Sequence, residues 1–232
     1  MKPEIYKEYS KVYDFFSSDL YGNLTNSSFM KGLIRDIPEK ACVTDVGGGT
    51  GVFALWLLQH RPDIKLTFIE PSPSMFEIAV KRLPLFCNLH NKSLEEVLPY
   101  LENQDIFIFM RVLYALYSNV EEYKNLFMRL YEKLNSPGYI FIYDVPEYYN
   151  IKEMKKYVKS TMNKENTDEF SEKWPVMKGI YEEFNKGVSE KIYKILEPGE
   201  LNKLFISSGF VKIYNQKKYI FTKKLPLFDV FL

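Results

Sequence analysis

Histidine and cysteine are scarce, with two of each in the 232-residue chain. His60, His90, Cys42 and Cys87 do not fall at the short spacings that hold a structural metal, so no metal site is expected. Two cysteines in apolar runs make no disulfide framework and fit a reducing, cytoplasmic setting. Charge of one sign is also lacking. The formal net charge is +1, which gives no overall basic field to attract nucleic acid; only "KEMKKYVKS", residues 152–160, is locally basic. Long hydrophobic runs are missing too. The most apolar stretch, "IFIFMRVLYALY" at 106–117, is too short to span a bilayer and contains Arg111. The opening "MKPEIYKEYS" has no apolar core of the signal-peptide kind. Aromatic residues, by contrast, are plentiful, with 18 Tyr and 18 Phe. Some belong to a core, and this many can also wall an apolar pocket.

Periodicity supplies the architecture. "IYKEYSKVYDFF" sets Tyr6, Tyr9, Tyr13 and Phe16 three or four apart, on one helical face. "SSFMKGLIRDI" reads as a second helix, stopped by Pro38. Then strands alternate with helices: "ACVTDV", "VFALWLLQH", "IKLTFIE", "PSMFEIAVKRL", "FCNLHN", "SLEEVLPYL", "DIFIFM", "VEEYKNLFMRLYEKL", "GYIFIYDV". Five strands so separated predict an α/β fold, Rossmann-like and doubly wound, with a mostly parallel sheet. "NSPG" at 135–138 reads as the turn before the fifth strand. Residues 146–190 are polar with scattered aromatics, too long for a plain loop, and read as a partly helical insertion. "EPGELNKLFISSGF" is then a helix. "FVKIYNQ" and "KYIFTKKL" are expected to form an antiparallel hairpin around 215–217, which would bring the sheet to seven strands. The expected organisation is one domain over 1–232: a helical lid (1–38), a core (39–145), a covering insertion (146–190) and the completion of the sheet (191–232).

The most informative stretch is "VTDVGGGTGVFAL", residues 43–55, between the first strand and the first helix of the alternating part. Gly47, Gly49 and Gly51 at alternate positions exceed what a tight turn needs. In a doubly wound sheet this turn is where a nucleotide-like ligand meets a helix N-terminus. A phosphate-cradling loop would follow its last glycine with Lys and Ser or Thr, but Val52 and Phe53 stand there. A dinucleotide fingerprint would need glycine where Val52 is. The spacing present, acidic-x-Gly-x-Gly-x-Gly from Asp45, resembles motif I of the class I S-adenosylmethionine-dependent methyltransferases.

That resemblance covers residues 43–145 and implies S-adenosyl-L-methionine as cofactor. It implies that Asp45, Gly47, Gly49 and Gly51 shape the binding loop and that Glu70, ending the second strand, accepts the ribose hydroxyls. It places Met75 against adenine, Ser93 and Leu94 of "NKSLEEV" in the adenine segment, Met110 and Arg111 beside the cofactor, and Tyr13 as a lid over its methionine end. "DVGGGTG" together with "DIFIFMRVLYAL" is more closely similar to the small-molecule O-methyltransferases of natural-product type. Arg111, Val112 and Leu113 match their strand-four segment. Tyr114 stands where those enzymes keep a catalytic His, and their long N-terminal dimerisation domain has no counterpart in these residues.

The expected activity is methyl transfer to a small-molecule acceptor, with oxygen as the atom the closer resemblance suggests. Transfer to nitrogen, to protein or RNA, and a non-catalytic cofactor-binding subunit are the alternatives. No nucleic-acid or membrane partner is expected, and the protein is expected to be a monomer or homodimer. Candidate catalytic residues are Tyr114, His90 and Asp144, with Glu147 on the same sheet edge. A phenol with its ordinary pKa of about 10 is a poor base at neutral pH, so Tyr114 is read either as an orienting group or as a packed core tyrosine. Arg111 is read as contacting cofactor or holding a substrate carboxylate. Tyr148, Tyr149, Trp174, Tyr181 and Phe184 of the insertion either cover an acceptor pocket or form the insertion's own core.

Overall fold

Val43 pairs with Leu66 on one side and Ile106 on the other, both in parallel register. That residue lies at the centre of the sheet. The structure is a computed structural model that describes residues 3–25, 28–144, 148–161, 167–210, 218–219 and 226–227. Two helices, α1 (Pro3–Thr25) and α2 (Ser28–Asp36), precede β1 (Cys42–Val46). The chain continues through α3 (Val52–His60), β2 (Lys65–Ile69), α4 (Pro73–Arg82), β3 (Asn88–His90), α5 (Leu94–Val97), β4 (Gln104–Met110), α6 (Val120–Lys133) and β5 (Leu134–Tyr143). The remaining elements are α7 (Ile151–Thr161), α8 (Thr167–Ser189), α9 (Pro198–Ser207) and two short strands, β6 (Lys218–Tyr219) and β7 (Pro226–Leu227).

The sheet order is β3-β2-β1-β4-β5, every pair parallel. Strand β4 shows why it is covered on both faces. Successive strand side chains point to opposite faces; Ile106, Ile108 and Met110 pack with Val43, Phe68, Ala54 and Leu57, whereas Phe107 and Phe109 pack with Leu126, Phe127, Leu130 and Phe205. Helices α2 and α3 cover the first face and α6 and α9 the second. The helices carry local start signals: Asn119 accepts the Glu122 amide at 3.0 Å before α6, and Ser93 and Glu96 form a capping box on α5. The order reverses between β1 and β4, so the crevice at their carboxyl ends is the topological switch point.

Two expectations need correction. Among the described residues the main sheet has five strands, all parallel, rather than seven with an antiparallel hairpin. β6 and β7 pair antiparallel with each other in a separate two-stranded sheet. That ladder is two residues long, and Pro226, opposite Tyr219, has no amide to donate. The expected hairpin turn at 215–217 lies outside the described residues. The second correction concerns "NSPG", which lies within β5 rather than before it. The register shifts there, from Gln104↔Leu134 to Ile106↔Tyr139, and the extra residues are tied down by Asn135 Nδ2, which donates to Asp105 Oδ1 at 2.7 Å. The 146–190 segment is helical in α7 and α8. Among the described residues, no helix is long and apolar enough to cross a membrane.

Candidate functional site

The glycine loop bends over the end of β2. The amides of Gly47 and Gly48 both donate to the Ile69 carbonyl, at 2.8 and 3.2 Å. Gly47 has φ 65° and Gly49 φ 61°, the left-handed region that only glycine enters freely. Their surroundings differ. A Cβ on Gly47 would stand 2.4 Å from Val112 Cγ2, and one on Gly48 2.1 Å from the Phe68 ring. A Cβ on Gly49 would meet nothing closer than the Tyr13 ring at 3.8 Å. Gly47 and Gly48 are therefore small because protein fills the space, whereas Gly49 faces a cavity. Gly51 begins α3 against Ala79 and Leu83 and does not reach that cavity.

Two carboxylates sit under the loop. Glu70 Oε2 accepts the Gly49 amide at 2.9 Å, and Oε1 accepts the Ser72 amide at 2.7 Å. Burial pushes the Glu70 carboxyl up, and those two amides pull it back. Asp45 is 0% exposed, and neither of its oxygens has a hydrogen-bond partner. Burial first and the Glu70 charge second push it up to about 7. Asp45 thus lies behind the glycines, in the core.

The cavity has a volume of about 100 Å³. Its floor is Gly47, Gly49, Glu70, Met75, Met110 and Arg111. Its wall is aromatic: Tyr6, Tyr9 and Tyr13 come from α1, Tyr149 from the segment after β5, and Tyr181 and Phe184 from α8. The wall is fastened at both sides. Thr50 Oγ1 donates to Asp14 Oδ1 at 2.6 Å, and Arg82 donates to Asp14 Oδ2 and, at 2.5 Å, to the Thr50 carbonyl, which ties α1 to the glycine loop and α4. Tyr149 and Asn185 exchange two hydrogen bonds of 2.8 Å, which tie the segment after β5 to α8. Arg111, at φ 59°, donates its own amide to Tyr143 O at 2.5 Å and its guanidinium to the Tyr149 hydroxyl.

Tyr114 follows in a short turn, Leu113–Ala115. Its ring meets Phe184 edge-on at 4.8 Å and Tyr193 at 5.7 Å. Its amide donates to Asp144 Oδ2 at 2.9 Å. Burial, with Tyr6, Tyr149 and Asp144 nearby, drives the phenol well above its ordinary value.

The structure brings Tyr13, Gly47, Gly49, Glu70, Met75, Met110, Arg111 and Tyr114 to one cavity. The other sequence candidates lie elsewhere. His90 gives its carbonyl to the Glu70 amide at 3.0 Å, and its imidazole, lowered by burial and by Lys92, is not in the lining. Ser93 bonds to Glu96, and Leu94 is buried with Val46 and Ile69. Asp144 lies beneath Tyr114, beside a second recess of about 10 Å³. Glu147 lies outside the described residues. Of the insertion aromatics, Trp174 is buried against Phe16 and Phe170 and Tyr148 is 52% exposed. Sequence reasoning did not assign Tyr6 and Tyr9 to the site, although their spacing from Tyr13 carried the signal.

Comparison with known proteins fits this geometry. Residues 43–138 match the methyltransferase-domain family, a segment that runs from the strand before the glycine loop into β5. No curated protein matches the chain. Solved structures share the fold at low identity. An S-adenosylmethionine-dependent methyltransferase from Leishmania major superposes with a TM-score of 0.64 at 13% identity, covering 98% of this chain and 80% of that one. A protein from Thermotoga maritima, described as a possible histamine N-methyltransferase, gives 0.58 at 19%, covering 98% and 93%. An O-methyltransferase candidate from Nostoc punctiforme gives 0.60 at 15%, covering 98% of this chain, which spans only 60% of that one.

The residues present fit S-adenosylmethionine, the cofactor that the motif resemblance implies. Gly49 leaves open the space a side chain would fill. The Glu70 carboxylate offers about four lone-pair sites and uses two on backbone amides, which leaves acceptors for a pair of ribose hydroxyls. Met75, 2% exposed, presents a polarizable apolar surface.

Proposed function

We propose that this chain is an S-adenosylmethionine-dependent methyltransferase that acts on a small molecule, at an oxygen that is ionised before it reacts. The observation that carries the reading is that one cavity joins the Gly49–Glu70 floor to the aromatic wall of Tyr114, Tyr149, Tyr181 and Phe184. Cofactor and acceptor would then share one small, largely apolar space. On this reading the chain works as a single cytoplasmic unit, with residues 1–38 as lid and 146–190 as acceptor cover.

S-adenosylmethionine supplies a methyl group already activated on a sulfonium. The protein's residues have three tasks: to bind, to align and to exclude water. Glu70 would hold the ribose, Gly49 would let the cofactor lie against the backbone, and Met75 would pack on the adenine. Tyr13 and its neighbours on α1 would close the methionine end. Tyr114 would orient the acceptor, because a phenol held this far above its ordinary value does not take a proton at neutral pH. The low-pKa acceptor is inferred from the lining, which among the described residues offers no strong base other than Glu70, already committed to two amides.

The test has two stages. Calorimetry should show S-adenosylhomocysteine binding to the purified chain. A screen with methyl-labelled cofactor over phenols, carboxylic acids and amines should then transfer label to an acidic hydroxyl compound. Binding without transfer to any small molecule, with transfer to protein or RNA instead, would replace this reading.

A further inference from the structure

We propose that Arg111 is the seat for a carboxylate carried by the methyl acceptor, which makes the acceptor a small carboxylic acid. The proposal rests on the methyl-transfer reading of the cavity and names its substrate class.

The starting observation is a contrast among the arginines. Arg35 meets Asp36 at 2.7 Å, Arg61 meets Asp63 at 2.7 Å, Arg129 meets Glu95 at 2.6 Å, and Arg82 meets Asp14. Arg111 is the arginine of the cavity lining, and among the described residues it forms no ion pair. Its partner is the Tyr149 hydroxyl. A guanidinium carries five N–H donors in a planar fork, so most of its bonding capacity is left for a ligand. A cation desolvated without an anion is costly, and proteins keep such groups where something else completes them. The surrounding phenols cannot do so, because burial holds Tyr149 and Tyr181 in their neutral form. The nearby carboxylates are otherwise engaged: Glu70 takes two backbone amides and Asp144 takes the Tyr114 amide.

The cation is also held in place. Its backbone is bonded to Tyr143 at the end of β5. Its fork is bonded to Tyr149, which Asn185 anchors through two hydrogen bonds. Such preorganisation lowers what binding must spend on ordering side chains. A planar fork matches a carboxylate through two parallel bonds, which a hydroxyl or amide acceptor does not supply.

Position assigns the carboxylate to the acceptor. Across the sheet edge the site runs from Glu70 after β2, through Gly47 and Gly49 after β1, to Arg111 after β4. With the ribose on Glu70, the cofactor occupies the β2 and β1 end. The guanidinium extends the other way, to Tyr149 beyond β5. There the lining is Tyr114, Ile180, Tyr181 and Phe184, an apolar bed for the body of a small acid whose charged end rests on Arg111.

The experiment uses the full chain saturated with S-adenosylhomocysteine and two probes of one shape, benzoate and benzamide, titrated by calorimetry. Benzoate should bind about tenfold or more tightly than benzamide, the scale of a charge-assisted pair. Arg111→Gln should erase that preference with S-adenosylhomocysteine affinity preserved, and Arg111→Lys, which keeps charge but not the fork, should retain only part of it. Equal binding of the two probes to wild type, or no benzoate binding, overturns the proposal and leaves the methyl-transfer reading intact. Loss of S-adenosylhomocysteine affinity in a folded Arg111→Gln protein also overturns it, by assigning Arg111 to the cofactor's own carboxylate. Should Arg111→Gln not fold, the wild-type pair and Arg111→Lys decide the question. Wild type that fails to bind S-adenosylhomocysteine removes the methyl-transfer reading, and this proposal with it.

Discussion

Glu70 holds Gly49: the carboxylate Oε2 accepts that glycine's amide at 2.9 Å. The residue expected to grip the ribose thus also shapes the backbone on which the rest of the cofactor would lie. Loop and acid form one unit, and substitutions at either end should be read together.

Gly49→Ala is expected to fold and to lose cofactor affinity. The added methyl meets only ordinary contact distances, and the left-handed backbone costs an alanine about 1–2 kcal/mol. Yet the methyl would occupy cavity space at the floor. Calorimetry should show S-adenosylhomocysteine affinity down by about tenfold or more. Gly47→Ala is the contrast: its methyl would collide with Val112, so thermal melting should reveal a loss of stability instead. Unchanged affinity in folded Gly49→Ala would refute the placement of the cofactor.

Glu70→Gln should weaken S-adenosylhomocysteine binding by about 2 kcal/mol, the scale for hydrogen bonds to a charged acceptor. The amide can still accept one of the two backbone N–H groups, so the loop should survive better than in Glu70→Ala. Equal affinity for wild type and Glu70→Gln would remove the acid from the site.

Asp45 makes the ligand-free protein sensitive to pH. Its carboxyl is raised from 3.8 to about 7, by burial and then by Glu70. Between those values the folded chain keeps a proton that the unfolded chain has released. Stability from this group is therefore complete below about pH 4 and declines as pH rises towards 7, by up to roughly 1.4 kcal/mol per pH unit. Asp45→Asn removes the titration. Urea unfolding should find the variant close to wild type at pH 4 and more stable at pH 7.5. A pH slope identical to wild type would place the sensitivity elsewhere.

Tyr114→Phe should reduce turnover by less than about tenfold, with the pH–rate profile unmoved. The ring contacts with Phe184 and Tyr193 survive this change, and the lost phenol is too weak an acid to serve as base. A hundredfold fall with intact S-adenosylhomocysteine affinity would make Tyr114 the base after all.

The part of this site that was legible in the sequence was the part built locally. Three alternate glycines between a strand and a helix, an acid ending the next strand and a methionine one turn into the following helix all sit within residues 45–75, where spacing along the chain translates into spacing in the sheet. The aromatic wall was not legible as a wall. Tyr9 and Tyr13 share one lining with Tyr149 and Tyr181 only through tertiary packing, and periodicity in each segment cannot reveal that partnership. Phe16 shows the ambiguity, since it continues the Tyr6–Tyr9–Tyr13 stripe yet packs against Trp174, away from the cavity lining. Ser93 reads the same in sequence whether it touches a ligand or caps a helix, and here it caps α5. The "NSPG" turn was misplaced because a strand can carry a register shift without ending.

Val12 and Phe16 of α1 lie in one buried cluster with Trp174 and Met177 of α8. The helix that carries Tyr13 over the glycine loop is therefore seamed to the helix that carries Tyr181 and Phe184 over the acceptor end. The two ends of the aromatic wall hang on one seam. Methylated product and demethylated cofactor should leave in the same opening event, and loosening the seam with Trp174→Ala should quicken the departure of both.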